Sequence, residues 1–190
     1  MLACQAFAHE ETGNYLAAEP AGRRAIELDP GDLWAAHAVA PVLESQGRRS
    51  EGVLWLTSLA PHWEGSHNLQ HHLWWHCALF KLEHGDAAAA LDLYDTRFRN
   101  LAAPLTVASP DVYIDVQNAA SMLFRLQRLG VDVGPRWKEL ADKAEARIRD
   151  IVPMLQPAST KPLVLRQVPI WENDIVTGFI DLALERAYVY

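Results

Sequence analysis

Apolar residues recur every three to four positions through most of the first 150 residues, and glycine or proline interrupts the pattern at intervals. The period predicts a helix over residues 2–11, stopped at Gly13-Asn14, with Asn14 as N-cap of the next. Leu16–Leu28 is its partner, weakened in its first half by Pro20 and Gly22. Asp29-Pro30-Gly31-Asp32 reads as a turn, with Asp32 capping a helix over 33–46 that Pro41 should bend and Gly47 closes. Residues 49–60 form the return helix, ended by Pro61. Residues 67–84 form a long helix, Gly85-Asp86 the turn, and Ala87–Phe98 its return. Residues 99–110 read as a loop, and Asp111–Leu129 as a helix ended by Gly130. Pro135–Ile151 follows, with proline in its first turn. Residues 153–169 carry four prolines and no clear period, so they read as an extended arm. Glu172–Ala187 reads as a last amphipathic helix, and no alternation supports a β-sheet.

Gly13, Gly47 and Gly85 are spaced by 34 and 38 residues, each between two helical runs. Paired helices on a period near 34 are the mark of a helical repeat array. The expected fold is all-α: an α-α superhelix of about four hairpins plus a C-terminal helix. The array occupies residues 1–151. Residues 152–190 form an arm and terminal helix packing on the array or on a partner.

Composition adds exclusions more than chemistry. The formal charge is −7 with no basic stripe, which argues against nucleic acid as a partner. No apolar run is long enough to span a bilayer, and the N-terminus has no basic region ahead of an apolar stretch. Cys4 and Cys77 sit in apolar helical contexts and read as two buried, reduced thiols of a cytoplasmic protein. The apolar groups of the tail, Val164, Leu165, Val168, Ile170 and Trp171, either cover the last hairpin or make a homodimer contact.

Two of the repeats follow a known template. After Gly13 come Tyr15, Ala18, Ala25 and Pro30; after Gly85 come Ala90 and Tyr94, with Trp74 eleven residues before it. This resembles the tetratricopeptide pattern, whose small residues let the helices of a hairpin approach closely; Gly52 holds that position in the second repeat. A closer resemblance rests on Trp34-Ala-Ala-His37, Val42-Leu43-Glu44-Ser-Gln46-Gly47-Arg48, Asn68, His72-Leu73-Trp74-Trp75-His76, Leu91-Asp92-Leu93-Tyr94-Asp95, and Gly130-Val131-Asp132-Val133-Gly134 with Trp137. These runs, over about residues 5–145, resemble the tetratricopeptide repeat protein 38 family. The family tends to carry histidine at Pro41. The resemblance implies an all-helical scaffold and supplies no reaction.

The resemblance also projects an inner wall from the first helix of each hairpin. It offers Phe7, Glu10 and Glu11; then Trp34, His37, Pro41 and Glu44; then His72, Trp75 and Glu83; then Gln117, Phe124 and Arg128. His76 lies one turn from His72. Aromatics there give contact area and carboxylates orient a cation, so a basic or amine-bearing peptide suits the wall. Trp34, Trp75 and Phe124 also fit simple packing between helices. Six of eight histidines fall between His62 and His84; His72 and His76 share one helix face, as do His67 and His71. The His72/His76 pair is half of a zinc site, for which His37 or Glu44 could supply a third ligand. No His-Glu-x-x-His signature, hydrolase elbow, Walker loop or dinucleotide fingerprint is present. The reading is therefore a partner-binding scaffold with no cofactor. A metal-assisted or acid–base enzyme using His37, Glu44, His72 and His76 is the alternative. Arg23-Arg24 and Arg48-Arg49 read as solvated surface.

Overall fold

Gly13, Gly47, Gly85 and Gly130 all have left-handed backbones, with φ of 74°, 69°, 81° and 78°. In each turn the glycine N–H bonds the carbonyl three residues back. The next N–H bonds the carbonyl five back: Asn14 to His9, Arg48 to Leu43, Asp86 to Lys81 and Val131 to Leu126. This bond pair is the Schellman motif, which satisfies the last carbonyls of a helix and reverses the chain. The spacing of glycines in the sequence is thus the spacing of four copies of one turn.

The structure, a computed structural model, describes residues 1–63, 66–102, 113–142, 156–158, 167–172, 175–181 and 186–189. It divides into two units, Met1–Ala141 and Asp142–Tyr190. The first contains α1 (Leu2–Glu11), α2 (Tyr15–Leu28), α3 (Leu33–Ser45), α4 (Arg49–Leu59), α5 (Leu69–Glu83), α6 (Ala87–Leu93) and α7 (Tyr113–Arg128). Residues 136–142 are helical after the fourth turn. The predicted helices of residues 2–98 are all present within a residue or two at most ends. Pro20 and Pro41 are contained in α2 and α3 without breaking either. Ala87–Phe98 is not one regular helix: a π-helical turn spans Tyr94–Phe98, where Arg99 N–H reaches the Tyr94 carbonyl. The loop over 103–110 and the end of the predicted 135–151 helix lie outside the described residues. Among the described residues no helix is long and apolar enough to cross a membrane.

Each first helix packs on its own partner and on the first helix of the next hairpin, so α1, α3, α5 and α7 stand side by side. This is a tetratricopeptide-like helical array. One core cluster runs from Ala3 through Leu43 and Leu56 to Phe80; a second joins Leu79, Tyr94, Phe98, Met122, Leu123 and Leu140. Close approach depends on small residues. A Cβ on Gly22 would lie 2.6 Å from Val39 Cγ2, and one on Gly52 2.3 Å from Phe80 Cζ. The Trp55 indole N–H donates to the Ala36 carbonyl across the α3/α4 hairpin, at 3.1 Å.

The arginines correct the surface reading. Arg23 and Arg48 are two-thirds buried and bridge Glu19 and Glu51 at 2.5–2.9 Å, tying α2 to α4. Bonds from Arg48, then Arg23, hold the Glu19 carboxyl below its usual range. Only Arg24 and Arg49 keep the predicted exposure. Cys4 is likewise exposed, against the expectation of burial, because its position on α1 faces away from α2 and α3; Cys77 is buried, which pushes its thiol up to about 11.

In the second unit the predicted terminal helix is replaced by strands β1 (Gln167–Glu172), β2 (Ile175–Asp181) and β3 (Arg186–Val189). They form an antiparallel sheet in the order β1-β2-β3, with Glu172 opposite Ile175 and Gly178 opposite Val189. The physical reason lies in composition: Val168, Ile170, Ile175, Val176, Thr177, Ile180 and Val189 are β-branched, and Gly178 disfavours a helix interior. Pro169 falls on an edge strand, where its missing N–H is tolerated.

Candidate inner-wall site

Three first helices bring a row of rings into contact. Phe7 on α1 meets Trp34 edge-on at 5.5 Å and His37 at 5.8 Å. His37 on α3 stacks on His72 of α5 at 4.9 Å and meets His76 at 5.1 Å. His72 and His76, one turn apart, are 4.6 Å apart centre to centre, and Trp75 lies parallel to His72 at 5.3 Å. Pro41 lies one turn after His37 on α3 and lacks the N–H that would bond the His37 carbonyl.

The hydrogen bonds fix the tautomers. Asn118 Oδ1 on α7 can only accept, so His72 Nδ1–H donates to it at 3.2 Å. The lone pair of His72 Nε2 then accepts from His37 Nε2–H at 3.1 Å. His76 Nδ1–H donates to Glu44 Oε2 at 3.2 Å. His37 Nδ1, His76 Nε2, Trp75 Nε1 and Asn118 Nδ2 are buried with no hydrogen-bond partner.

Burial governs the protonation states. His76 is depressed to about 4 by desolvation alone. His72 is also lowered to about 4, by burial and then by His76, and His37 to about 2 by burial and then by both other rings. The three imidazoles are therefore neutral near pH 7, and His76–Glu44 is a hydrogen bond to a carboxylate, not an ion pair. Glu44 is pushed up by burial, against the pull of Arg125 and His72.

Of the predicted wall residues, Trp34, His37, Glu44, His72, Trp75 and His76 converge. Glu83 does not: it pairs with Arg49 of α4 at 2.6 Å, away from the wall, because it sits at the C-terminal end of α5 where the return helix passes. Phe124 is 55% exposed, with the Arg128 guanidinium 5.9 Å from its ring centre. His71, paired in sequence with His67, turns instead to the Arg97 carbonyl at 3.1 Å. A half-open pocket beside the cluster is lined by His72, Trp75, Gln117, Asn118 and Ser121. Asn118 and Ser121 were not among the sequence candidates; their place depends on how α7 meets α5, which no local pattern carries.

Fold and site together define a tetratricopeptide-like helical-repeat protein with a buried imidazole cluster in the row of first helices. No family model matches the chain. Among solved structures it is similar to a chain of "Structure of Naa15/Naa10 bound to HypK-THB", at 15% identity and a TM-score of 0.41. The alignment covers 86% of this chain and 26% of that one, so this chain spans about a quarter of its length.

Proposed function

We propose that this chain is an interaction scaffold of the tetratricopeptide repeat protein 38 family, binding an extended segment of a protein partner along α1, α3, α5 and α7. The observation that carries this reading is a pair of exposed aromatics on first helices, Trp34 on α3 and Phe124 on α7. Trp34 is 49% and Phe124 55% exposed, although aromatic rings at helical spacing are normally consumed by the core. The pocket itself is lined by His72 and Trp75 of α5 and by Gln117, Asn118 and Ser121 of α7. Glu10 and Glu11 share the α1 face near Phe7, which favours a basic side chain at that end of the segment. Acid–base catalysis by the cluster has less support, since rings depressed to about 4 and about 2 are poorly matched to proton transfer near pH 7.

Selection of a random displayed-peptide library on the folded protein tests the reading. Enriched peptides should lose roughly tenfold or more in affinity on Trp34→Ala and on Phe124→Ala, as anchor residues do. The melting temperature of both variants should stay close to the parent. Peptides indifferent to both substitutions would place the binding surface elsewhere and sink the proposal.

A further inference from the structure

We propose that His37, His72 and His76 form a mononuclear site for a borderline divalent transition-metal ion of the zinc class, oriented by Glu44 and Asn118. The inference goes beyond partner binding and does not depend on it.

Geometry is the first ground. One ring nitrogen from each histidine can be chosen so that all three lie within 4.8 Å of one another. Nitrogens bound to one tetrahedral zinc at about 2.0–2.1 Å stand about 3.3 Å apart. The His37–His72 Nε2 pair, at 3.1 Å, is already near that spacing. Two ligands come from one face of α5 and the third from α3 of the neighbouring hairpin, so rigid helices present all three.

The outer partners are a second ground. A metal-bound histidine usually donates its other N–H to a carboxylate or carbonyl, which fixes the ring and raises its basicity. His76 does so to Glu44, leaving Nε2 bare, and His72 does so to Asn118, leaving Nε2 with a lone pair. Coordination through His37 Nε2 requires only that this ring shift its proton to Nδ1.

The unpaired atoms are a third ground. His76 is 5% exposed, and its bare Nε2 finds no donor within the cluster. A buried lone pair without a partner is destabilising, and a cation supplies what is missing. The ligands are also neutral near pH 7, the form that binds metal. His72 belongs both to the triad and to the pocket lined by Gln117, Asn118 and Ser121. Three protein ligands leave a fourth coordination position for water or a ligand group, the arrangement that separates a reactive three-histidine site from a closed structural one.

The test is titration of chelator-treated full-length protein, carrying no histidine tag, with Co²⁺ and then Zn²⁺. The expected result is one Co²⁺ per chain with the visible absorption of a four- or five-coordinate ion, displaced by Zn²⁺, and a higher melting temperature. His76→Gln and His72→Asn should each weaken binding roughly 100-fold, and Glu44→Gln roughly tenfold with a shifted Co²⁺ spectrum. His72 is only partly buried, so His72→Asn keeps the test valid if His76→Gln fails to fold, with circular dichroism as the check. Absence of a stoichiometric Co²⁺ spectrum in folded protein would overturn the proposal and leave a hydrated polar core. Binding that survives in the His72/His76 double variant would overturn it equally, placing the ion on exposed histidines such as His67 or His84.

Discussion

Gly52 shows how one missing side chain positions two helices. The Phe80 ring is fully buried and lies across the Gly52 Cα, where an added Cβ would fall 2.3–2.5 Å from three ring carbons. Gly52→Ala gains up to about 1 kcal/mol in helix propensity, while overpacking a filled core costs about 1–3 kcal/mol. The ring is held on all sides, so the clash should win. We expect a net loss of about 1–2 kcal/mol in urea unfolding, partly recovered by adding Phe80→Leu. A neutral or stabilising Gly52→Ala would show that the ring can slide. At this scale the sequence was informative about residue type and less so about contacts. His72 and His76 were readable as a pair because four residues on a helix share a face, and His37 through its place on the preceding first helix. Asn118 was not, because its bond to His72 joins residues 46 apart in sequence through the packing of α7 on α5.

Helix ends were the most legible elements, because each is written by a local rule. Glycine at a left-handed C′ position closes four helices, and Asp32 and Asp86 accept from Ala35 and Ala89 N–H at the starts of α3 and α6. Gly47→Ala tests the rule. A Cβ there meets nothing within 4 Å, so its effect isolates the backbone conformation from packing. A left-handed alanine is disfavoured by roughly 1–2 kcal/mol, and asparagine by less. Stability should therefore fall in the order glycine, asparagine, alanine, measured by denaturant midpoint at unchanged slope. Equal stabilities would mean that the turn relaxes. Two elements were not legible for different reasons. The π-helical turn at Tyr94–Phe98 accompanies burial of both rings, 5.4 Å apart, and of Arg99 against Glu139 at 2.7 Å, contacts with distant partners. In β2 the four-residue spacing of Ile175 and Phe179 mimics a helix period, and that spacing outweighed the β-branched composition that decides the outcome.

At the scale of the whole molecule, the first unit is a row of hairpins held mainly by contacts between neighbours, and the imidazole cluster lies where α1, α3, α5 and α7 meet. Charging those rings should loosen several contacts together. An unfolded histidine titrates near 6.5, whereas His72 and His76 are held to about 4 and His37 to about 2. Well above pH 6.5 folded and unfolded rings are both neutral, so their titration adds no cost. As pH falls below 6.5 the unfolded chain takes up protons that the folded chain refuses, so stability declines until the folded rings also titrate. For His76, 6.5 against about 4 at about 1.4 kcal/mol per pH unit gives a loss of about 3 kcal/mol by pH 4. Glu19, held low by Arg48, loses its contribution over the lower part of the same range. Glu44 and Glu10 act with the opposite sign. Burial raises both carboxyls, so the folded chain takes up their protons first and is stabilised as the pH falls toward 4.5. Between pH 6.5 and 5 three histidines held well below their unfolded value act against these two carboxyls, so a net loss is expected. The melting temperature of chelator-treated protein should fall steadily across that interval, and His76→Gln, which carries no titrating ring, should flatten the slope. A bound metal should steepen the acid loss instead, since protons would then compete with the ion for the same nitrogens. A melting temperature constant from pH 6.5 to 5 would show that the rings charge without cost, and hence that they are not buried as described.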